Sequence, residues 1–197
     1  MAVVLYCMPL EGLDSQWEKE LLEKLPWEEQ KRINALKNKN KKVESLYAWS
    51  LLSYLLKQEF DMDVMPCIAR NAMGKPFFPE CAAVHIALSH TEGAVLVGAA
   101  QRAIGLDMEK IRPIPTRVGE LFGVDQSEEV FWKNWTVAES RLKLRGLGVG
   151  AVRREIEPLE KEHWENVDLF PGYTAAAAFC GEDKLIVQRI CVKELYR

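Results

Sequence analysis

No stretch of the chain comes near the roughly 18–20 uncharged apolar residues that cross a membrane, and its five cysteines contain no CxxC pair. The first absence argues against a membrane span. The second argues against a structural zinc site, whose ligands need paired spacing: Cys7, Cys67, Cys81, Cys180 and Cys191 are odd in number and widely scattered. Each lies in or near an apolar run, so reduced, buried thiols in a cytoplasmic protein are expected. An excess of positive charge is also missing. Lys and Arg total 26 against 29 Asp and Glu, a formal net charge of −3, which disfavours coating nucleic acid through bulk charge. The opening MAVVLYCMPLEGLDSQ lacks a basic n-region and meets acids early, so it reads as a strand rather than a signal peptide.

What is present fits a folded α+β chain. A length of 197 residues, 48% of them hydrophobic, suits one large domain or two of about 100 residues. Trp17, Leu21, Leu22 and Leu25 have helical spacing, and Pro26 suits the start of a second helix. Apolar residues from Val43 to Leu56 predict a helix with a buried face. Short β-like pieces follow between Met62 and Ala100 (AMGKPFFPE, VHIALSH, AVLVGAA), and Ile104 to Met108 continues as another strand.

Ser127, with Glu128 and Glu129 behind it, marks the N-terminus of a second long helix. Its Phe131, Trp135, Ala138 and Leu142 predict a core-facing stripe. The helix should end near Gly146, with Gly146, Gly148 and Gly150 as a flexible connector. TAAAAFCG and KLIVQRICVKEL read mostly as strand. The segments beginning at Gly93 and Gly172 echo each other in pattern, so two similar α+β halves, 1–102 and 103–197, are expected to meet at a ligand cleft.

Several residues could carry chemistry. On a strand, Asp107 and Glu109 point to the same face, and two adjacent carboxylates repel unless a cation or proton lies between them. Taken alone, the two read first as acids at the exposed end of a strand leaving the core. Glu139 and Lys143 share a helix face as an ordinary i,i+4 pair, or as a metal ligand or base beside a phosphate-holding lysine. Ser89 and His90 close the strand-like VHIAL, where a histidine can bond a phosphate or merely satisfy a turn. Lys75 stands on the Gly74-Lys75-Pro76 bend, and such a lysine is usually only solvated. Residues 31–42 hold six basic side chains and no acid, either a patch for a phosphorylated ligand or a solvated helix end.

Taken in order, Gly74-Lys75-Pro76, Ala87-Leu88-Ser89-His90-Thr91, Ile104-Gly105-Leu106-Asp107-Met108-Glu109 and Trp135-Thr136-Val137-Ala138-Glu139-Ser140-Arg141-Leu142-Lys143 closely resemble the motifs of 4'-phosphopantetheinyl transferases. The resemblance is to the two-domain, Sfp-type branch and spans nearly the whole chain. Phe170-Pro171-Gly172-Tyr173, the alanine-rich strand after it and the closing Lys193-Glu194-Leu195 extend it.

The resemblance implies a pseudo-twofold pair of α+β subdomains binding coenzyme A and Mg²⁺ between them. Such an enzyme transfers the 4'-phosphopantetheine arm to a serine of an acyl or peptidyl carrier protein, releasing adenosine 3',5'-bisphosphate. It further implies that Asp107, Glu109 and Glu139 bind the metal, that Glu139 is a candidate base, and that Lys143 lies near the diphosphate. Lys75, Ser89 and His90 would contact coenzyme A, His90 at its 3'-phosphate, with Arg32 and Ser45 as further phosphate and nucleotide contacts. The expected protein is a cytoplasmic monomer with neither nucleic acid nor membrane among its partners. The chain departs from the family pattern in three places. Ala138 stands where a lysine is usual, residues 108–138 form a shorter segment than usual, and Glu29 and Glu44 lie where basic residues are common. These departures motivate an alternative, a non-catalytic homologue that binds coenzyme A or a carrier protein without turnover. A metal-dependent hydrolase of nucleotide diphosphates is a third reading.

Overall fold

The structure, a computed structural model, describes residues 2–122, 126–147 and 157–196. Strand β1 (Ala2–Pro9) reads as a continuous apolar run because both of its faces are covered. Val4, Tyr6 and Met8 enter one core while Val3, Leu5 and Cys7 enter another. β1 pairs antiparallel with β5 (Ala94–Ala100) and parallel with β9 (Lys184–Arg189). β4 (His85–Thr91) completes this sheet in the order β4-β5-β1-β9. The first core lies between the sheet and four helical pieces: a 3-10 turn (Ser15–Trp17), α1 (Glu18–Glu23), α2 (Trp27–Asn34) and α3 (Lys39–Phe60).

α3 starts where the Asn38 side chain accepts from the Lys41 N–H, and ends at Asp61 in the left-handed conformation. Its residues 44–52 are all buried. The expected single buried face is therefore exceeded, because helices and sheet enclose this stretch on several sides. Between α3 and β4 the chain forms a two-residue ladder of β2 (Ala69–Arg70) and β3 (Pro76–Phe77), which holds the Gly74-Lys75-Pro76 bend.

A second sheet has the order β6-β8-β7, from β6 (Ile104–Lys110), β7 (Glu162–Val167) and β8 (Tyr173–Cys180). Ile104, Leu106 and Met108 of β6 face the first sheet, with Ala175, Ala177 and Phe179 of β8. The alternate residues Gly105 and Asp107 therefore point the other way, opposite Ala178 and Ala176. On that face lies α5 (Glu128–Leu144), preceded by the short α4 (Thr116–Phe122). The Ser127 hydroxyl accepts the Val130 N–H, so the expected cap is formed.

The two strands that echo each other in sequence, β5 and β8, are each an inner strand of a sheet. The chain then returns from the second sheet to the first through β9, and a 3-10 turn at Val192–Tyr196 packs on the helical core.

Three further expectations change. The buried face of α5 consists of Phe131, Trp132, Thr136, Glu139, Ser140, Leu142 and Leu144, while Trp135 and Ala138 are only half-buried. The strand expected through KLIVQRICVKEL stops at Arg189, and Glu194 caps the 3-10 turn by accepting the Cys191 N–H. All five cysteines are free thiols, but only Cys7 is buried; Cys67 and Cys191 are exposed because both lie where the chain has left a sheet or helix. Gly146 closes α5 with a positive φ, while Gly148 and Gly150 lie outside the described residues. No helix among the described residues is long and apolar enough to cross a membrane.

Candidate active site

The site forms where the edge strand of one sheet lies beside the edge strand of the other. β4 and β6 meet through side chains: the Ser89 hydroxyl accepts the Met108 N–H at 3.1 Å and donates to Asp107 Oδ1 at 3.0 Å. Two residues on, Thr91 Oγ1 donates to Glu109 Oε2 at 3.3 Å. The period of two along each strand puts these pairs in register.

α5 then lies across β6. It can approach because residue 105 is glycine: a Cβ there would stand 2.0 Å from the Ser140 carbonyl oxygen and 2.3 Å from the Leu144 nitrogen. The approach sets Glu139 and Lys143, one helical turn apart, over Asp107. Lys143 Nζ lies 2.6 Å from Asp107 Oδ1, 3.9 Å from Glu139 Oε2 and 3.4 Å from Ser89 Oγ. Asp107 and Glu139 thus share one ammonium; of the i,i+4 pair, Glu139 is buried at 8% exposure, and Lys143 is half-buried.

The electrostatics follow from burial. Asp107, 3% exposed, has its pKa raised by loss of solvent; the Lys143 charge opposes this and the Glu109 charge adds to it. Glu139 is pushed up to about 7 by burial and then by the Asp107 charge. Asp107 Oδ2 is buried with no hydrogen-bond partner among the described residues. Such a buried, partnerless carboxylate oxygen beside a second carboxylate suits a hard cation with oxygen ligands. No three His, Cys, Asp or Glu side chains among the described residues are already gathered as a metal cage. Glu109 is turned to Thr91 and to Arg112 (2.9 Å), and the Lys143 ammonium stands between Asp107 and Glu139.

The other expected residues divide into two groups. Lys75 Nζ donates to the carbonyls of Ile104 and Lys143, each at 2.8 Å, so it ties the β2–β3 bend to β6 and to the end of α5. Burial lowers its pKa to about 8. Next to it a cavity of about 250 Å³ has apolar walls of Pro76, Ala87, Leu88 and Leu142, with Glu139 and Lys143 at its polar end.

On the α3 side of β4, Arg32 donates to the Ser45 hydroxyl at 2.7 Å and to Glu29, which also binds Arg70 at 2.8 Å. His90 Nδ1 lies 3.1 Å from Glu44 Oε2, and Lys41 Nζ reaches the same oxygen at 3.1 Å. The basic run read from sequence is therefore partly neutralised by two buried acids, Glu29 at 1% and Glu44 at 4% exposure.

Sequence reasoning missed Thr91, Arg112, Arg70 and the anchoring of α5. On another face of the same helical turns Arg141 and Arg145 both bind Glu162 of β7, and Arg141 also stacks on Trp164. A glycine inside an otherwise apolar strand was the available signal for the Gly105 contact.

No protein-family model matches the chain. Three curated proteins do, each over part of its length. The chain is 23% identical over 112 residues, 50% of each protein, to "4'-phosphopantetheinyl transferase Sfp" of Bacillus subtilis (strain 168). It is 28% identical over 88 residues, 39% of each, to a "4'-phosphopantetheinyl transferase" of Bacillus subtilis. It is 32% identical over 89 residues to "4'-phosphopantetheinyl transferase psf-1" of Bacillus pumilus, covering 39% of this chain and 38% of that one. The matched region thus spans half or less of these relatives' length. The similarities support the 4'-phosphopantetheinyl transferase superfamily at the level of the class, without fixing a branch.

Proposed function

We propose that the protein is a 4'-phosphopantetheinyl transferase of the two-domain type. It moves the phosphopantetheine arm of coenzyme A onto a serine of an acyl or peptidyl carrier protein and releases adenosine 3',5'-bisphosphate. In this reading residues 1–102 and 103–197 are pseudo-twofold halves, and the protein works as a monomer in the cytoplasm.

The observation that carries the reading is the convergence of Asp107 and Glu139, from a strand and a helix, on the single ammonium of Lys143. Phosphoryl-type transfer needs alignment and charge neutralisation more than covalent help from the protein. Asp107 and Glu139, with Glu109 released from Arg112, would hold Mg²⁺. When bound, that ion supplies charge neutralisation to the diphosphate. Lys143 then donates to a diphosphate oxygen where negative charge develops. Glu139, held near neutrality in its titration, accepts the proton of the incoming serine hydroxyl. The serine oxygen bonds to the phosphorus next to the pantetheine, and the bond from that phosphorus to the oxygen bridging the diphosphate breaks. The leaving nucleotide departs with the bond's electrons. The apolar cavity beside Lys75 receives an apolar or aromatic portion of the donor. Lys143 also supplies a cation beside Glu139, a place that Ala138 leaves without one.

The test is intact mass spectrometry of several apo carrier proteins incubated with the protein, coenzyme A and Mg²⁺. One of them gains the mass of one phosphopantetheine arm, and the gain is absent with Asp107→Ala. If none gains mass although coenzyme A binds, the chain binds its ligand without turnover and the transferase reading fails. Breakdown of coenzyme A with no carrier present would point instead to a hydrolase.

A further inference from the structure

We propose that the cavity enclosed by α1, α2 and the start of α3 binds a single-chain amphiphilic anion, a fatty carboxylate with a plain alkyl tail. The cavity shares no residue with the site built around Asp107, Glu139 and Lys143, and the inference stands independently of the transferase reading.

The cavity measures about 530 Å³, within the range of about 300–1,000 Å³ usual for small-ligand pockets. Its lining is of two kinds. Leu22, Ile33, Val43 and Leu46 make an aliphatic wall, and Glu18, Lys19, Lys39 and Lys42 supply charge. Ile33 and Leu46 form the floor, at 0% and 3% exposure. Leu22 and Val43 are half-buried and leave apolar surface open to the space. Among the described residues no hydroxyl, amide or aromatic side chain lines it. A ligand tail with polar groups would therefore give up its hydrogen bonds to water and find none in return. A straight alkyl chain has none to give up. The other cavity of about 530 Å³, between α1, α3 and the last 3-10 turn, lacks this character, since Ser50, Ser53, Tyr54 and Gln58 line it.

Charge sets the head of the ligand. Three lysines line the cavity against one glutamate, in a chain whose formal net charge is −3. Lys39, Lys41 and Lys42 crowd the first turn of α3, which holds no acid, although a helix N-terminus disfavours cations. Helix stability therefore does not account for them. Glu44 answers Lys41 on the β4 side. Lys42 is held by the neutral Asn34 Oδ1 at 2.8 Å, and Lys39 forms no ion pair among the described residues. Lys19 meets Glu23 at 3.8 Å with both side chains largely exposed, a pair worth little. Ammonium groups at the rim of an aliphatic cavity are thus left for a carboxylate, and the lysine stems can lie along its tail.

The test is calorimetry on the full chain with decanoate and dodecanoate below their micelle concentrations. Dodecyltrimethylammonium serves as the same tail under the opposite charge. Dodecanoate should bind at a single site, about tenfold more tightly than decanoate because two further CH₂ groups are buried. The cationic amphiphile should bind about tenfold more weakly than dodecanoate or worse. Lys39→Glu combined with Lys42→Glu should weaken dodecanoate by about tenfold while the circular dichroism spectrum stays that of the wild type. If that variant does not fold, Val43→Phe decides, since its ring fills the space and should abolish uptake. Equal binding of the cationic amphiphile, no dependence on tail length, or unchanged binding by the folded variant overturns the inference. Displacement of dodecanoate by coenzyme A would put the amphiphile in the cavity beside Lys75 and overturns it as well. Attachment to phosphatidylglycerol vesicles without uptake of the free carboxylate would make this face a lipid-surface contact, with the same consequence. Uptake of dodecanoate by a protein that modifies no carrier leaves this inference standing and removes only the transferase.

Discussion

Gly105 and Ser140 lie against each other so closely that the hydrogen on the Gly105 Cα is all that fits between β6 and α5. This contact decides where the chemistry sits. The same face of β6 carries Asp107, and the same stretch of α5 carries Glu139 and Lys143. The spacing between strand and helix thus sets the spacing between the two carboxylates and the ammonium they share.

Gly105→Ala should therefore be disproportionately harmful. The atoms in its way are backbone, which cannot rotate aside, so α5 must move off the sheet. A loss of about 3 kcal/mol or more is expected, measured by urea unfolding, and it should be accompanied by loss of carrier modification. A stable, active Gly105→Ala protein would mean that α5 is not held by this contact.

Glu162 of β7 fastens the same C-terminal turns of α5 from another side, through Arg141 and Arg145, and its titration gives a test at low pH. Burial alone would raise this carboxyl, but hydrogen bonds from Arg145, Arg141 and the Leu159 N–H overcome it and hold the pKa at about 2, below the ordinary 4.5. A depressed carboxylate contributes stability that is fully present above 4.5 and lost as pH falls through about 2. The stability difference between wild type and Glu162→Gln should thus be constant above pH 5 and shrink on acidification, read from urea midpoints across the acid range. Parallel curves would show that the arginines do not act through its charge.

Lys75 gives the opposite window. Burial lowers its pKa from 10.5 to about 8, so between these values the unfolded chain binds the proton and the folded chain does not. Stability contributed by this group therefore rises with pH across that interval. Relative to Lys75→Met, the wild type should gain stability as pH climbs from 8 toward 10.5, measured by thermal unfolding. A difference that stays flat would place the ammonium in solvent, away from the Ile104 and Lys143 carbonyls.

Local features were legible in the chain. The Ser127 cap, the shared face of Asp107 and Glu109, and the one-turn spacing of Glu139 and Lys143 depend only on the geometry of one helix or strand. The sequence pattern failed where a partner element decides. Trp135 and Ala138 continue a hydrophobic repeat, yet the face that meets β6 centres on Thr136 and Ser140, because a close helix–strand contact selects small residues over large ones. The Ser89–Asp107 and Thr91–Glu109 bonds each span 18 residues and arise only when two sheet edges meet. Glu29 and Glu44 could be read as acids in a basic run, but not as buried anchors for Arg32, Arg70, Lys41 and His90. That role appears once α2, α3 and β4 are packed together.

The central claim is that Asp107, Glu109 and Glu139 take up one divalent ion together with the diphosphate of the donor. Electron paramagnetic resonance of Mn²⁺ titrated into the protein with coenzyme A measures this directly. One tightly bound ion per wild-type chain is expected, with that binding lost in Asp107→Ala and in Glu139→Gln while both variants keep a wild-type circular dichroism spectrum. Equal Mn²⁺ uptake by the folded Asp107→Ala protein would contradict the account.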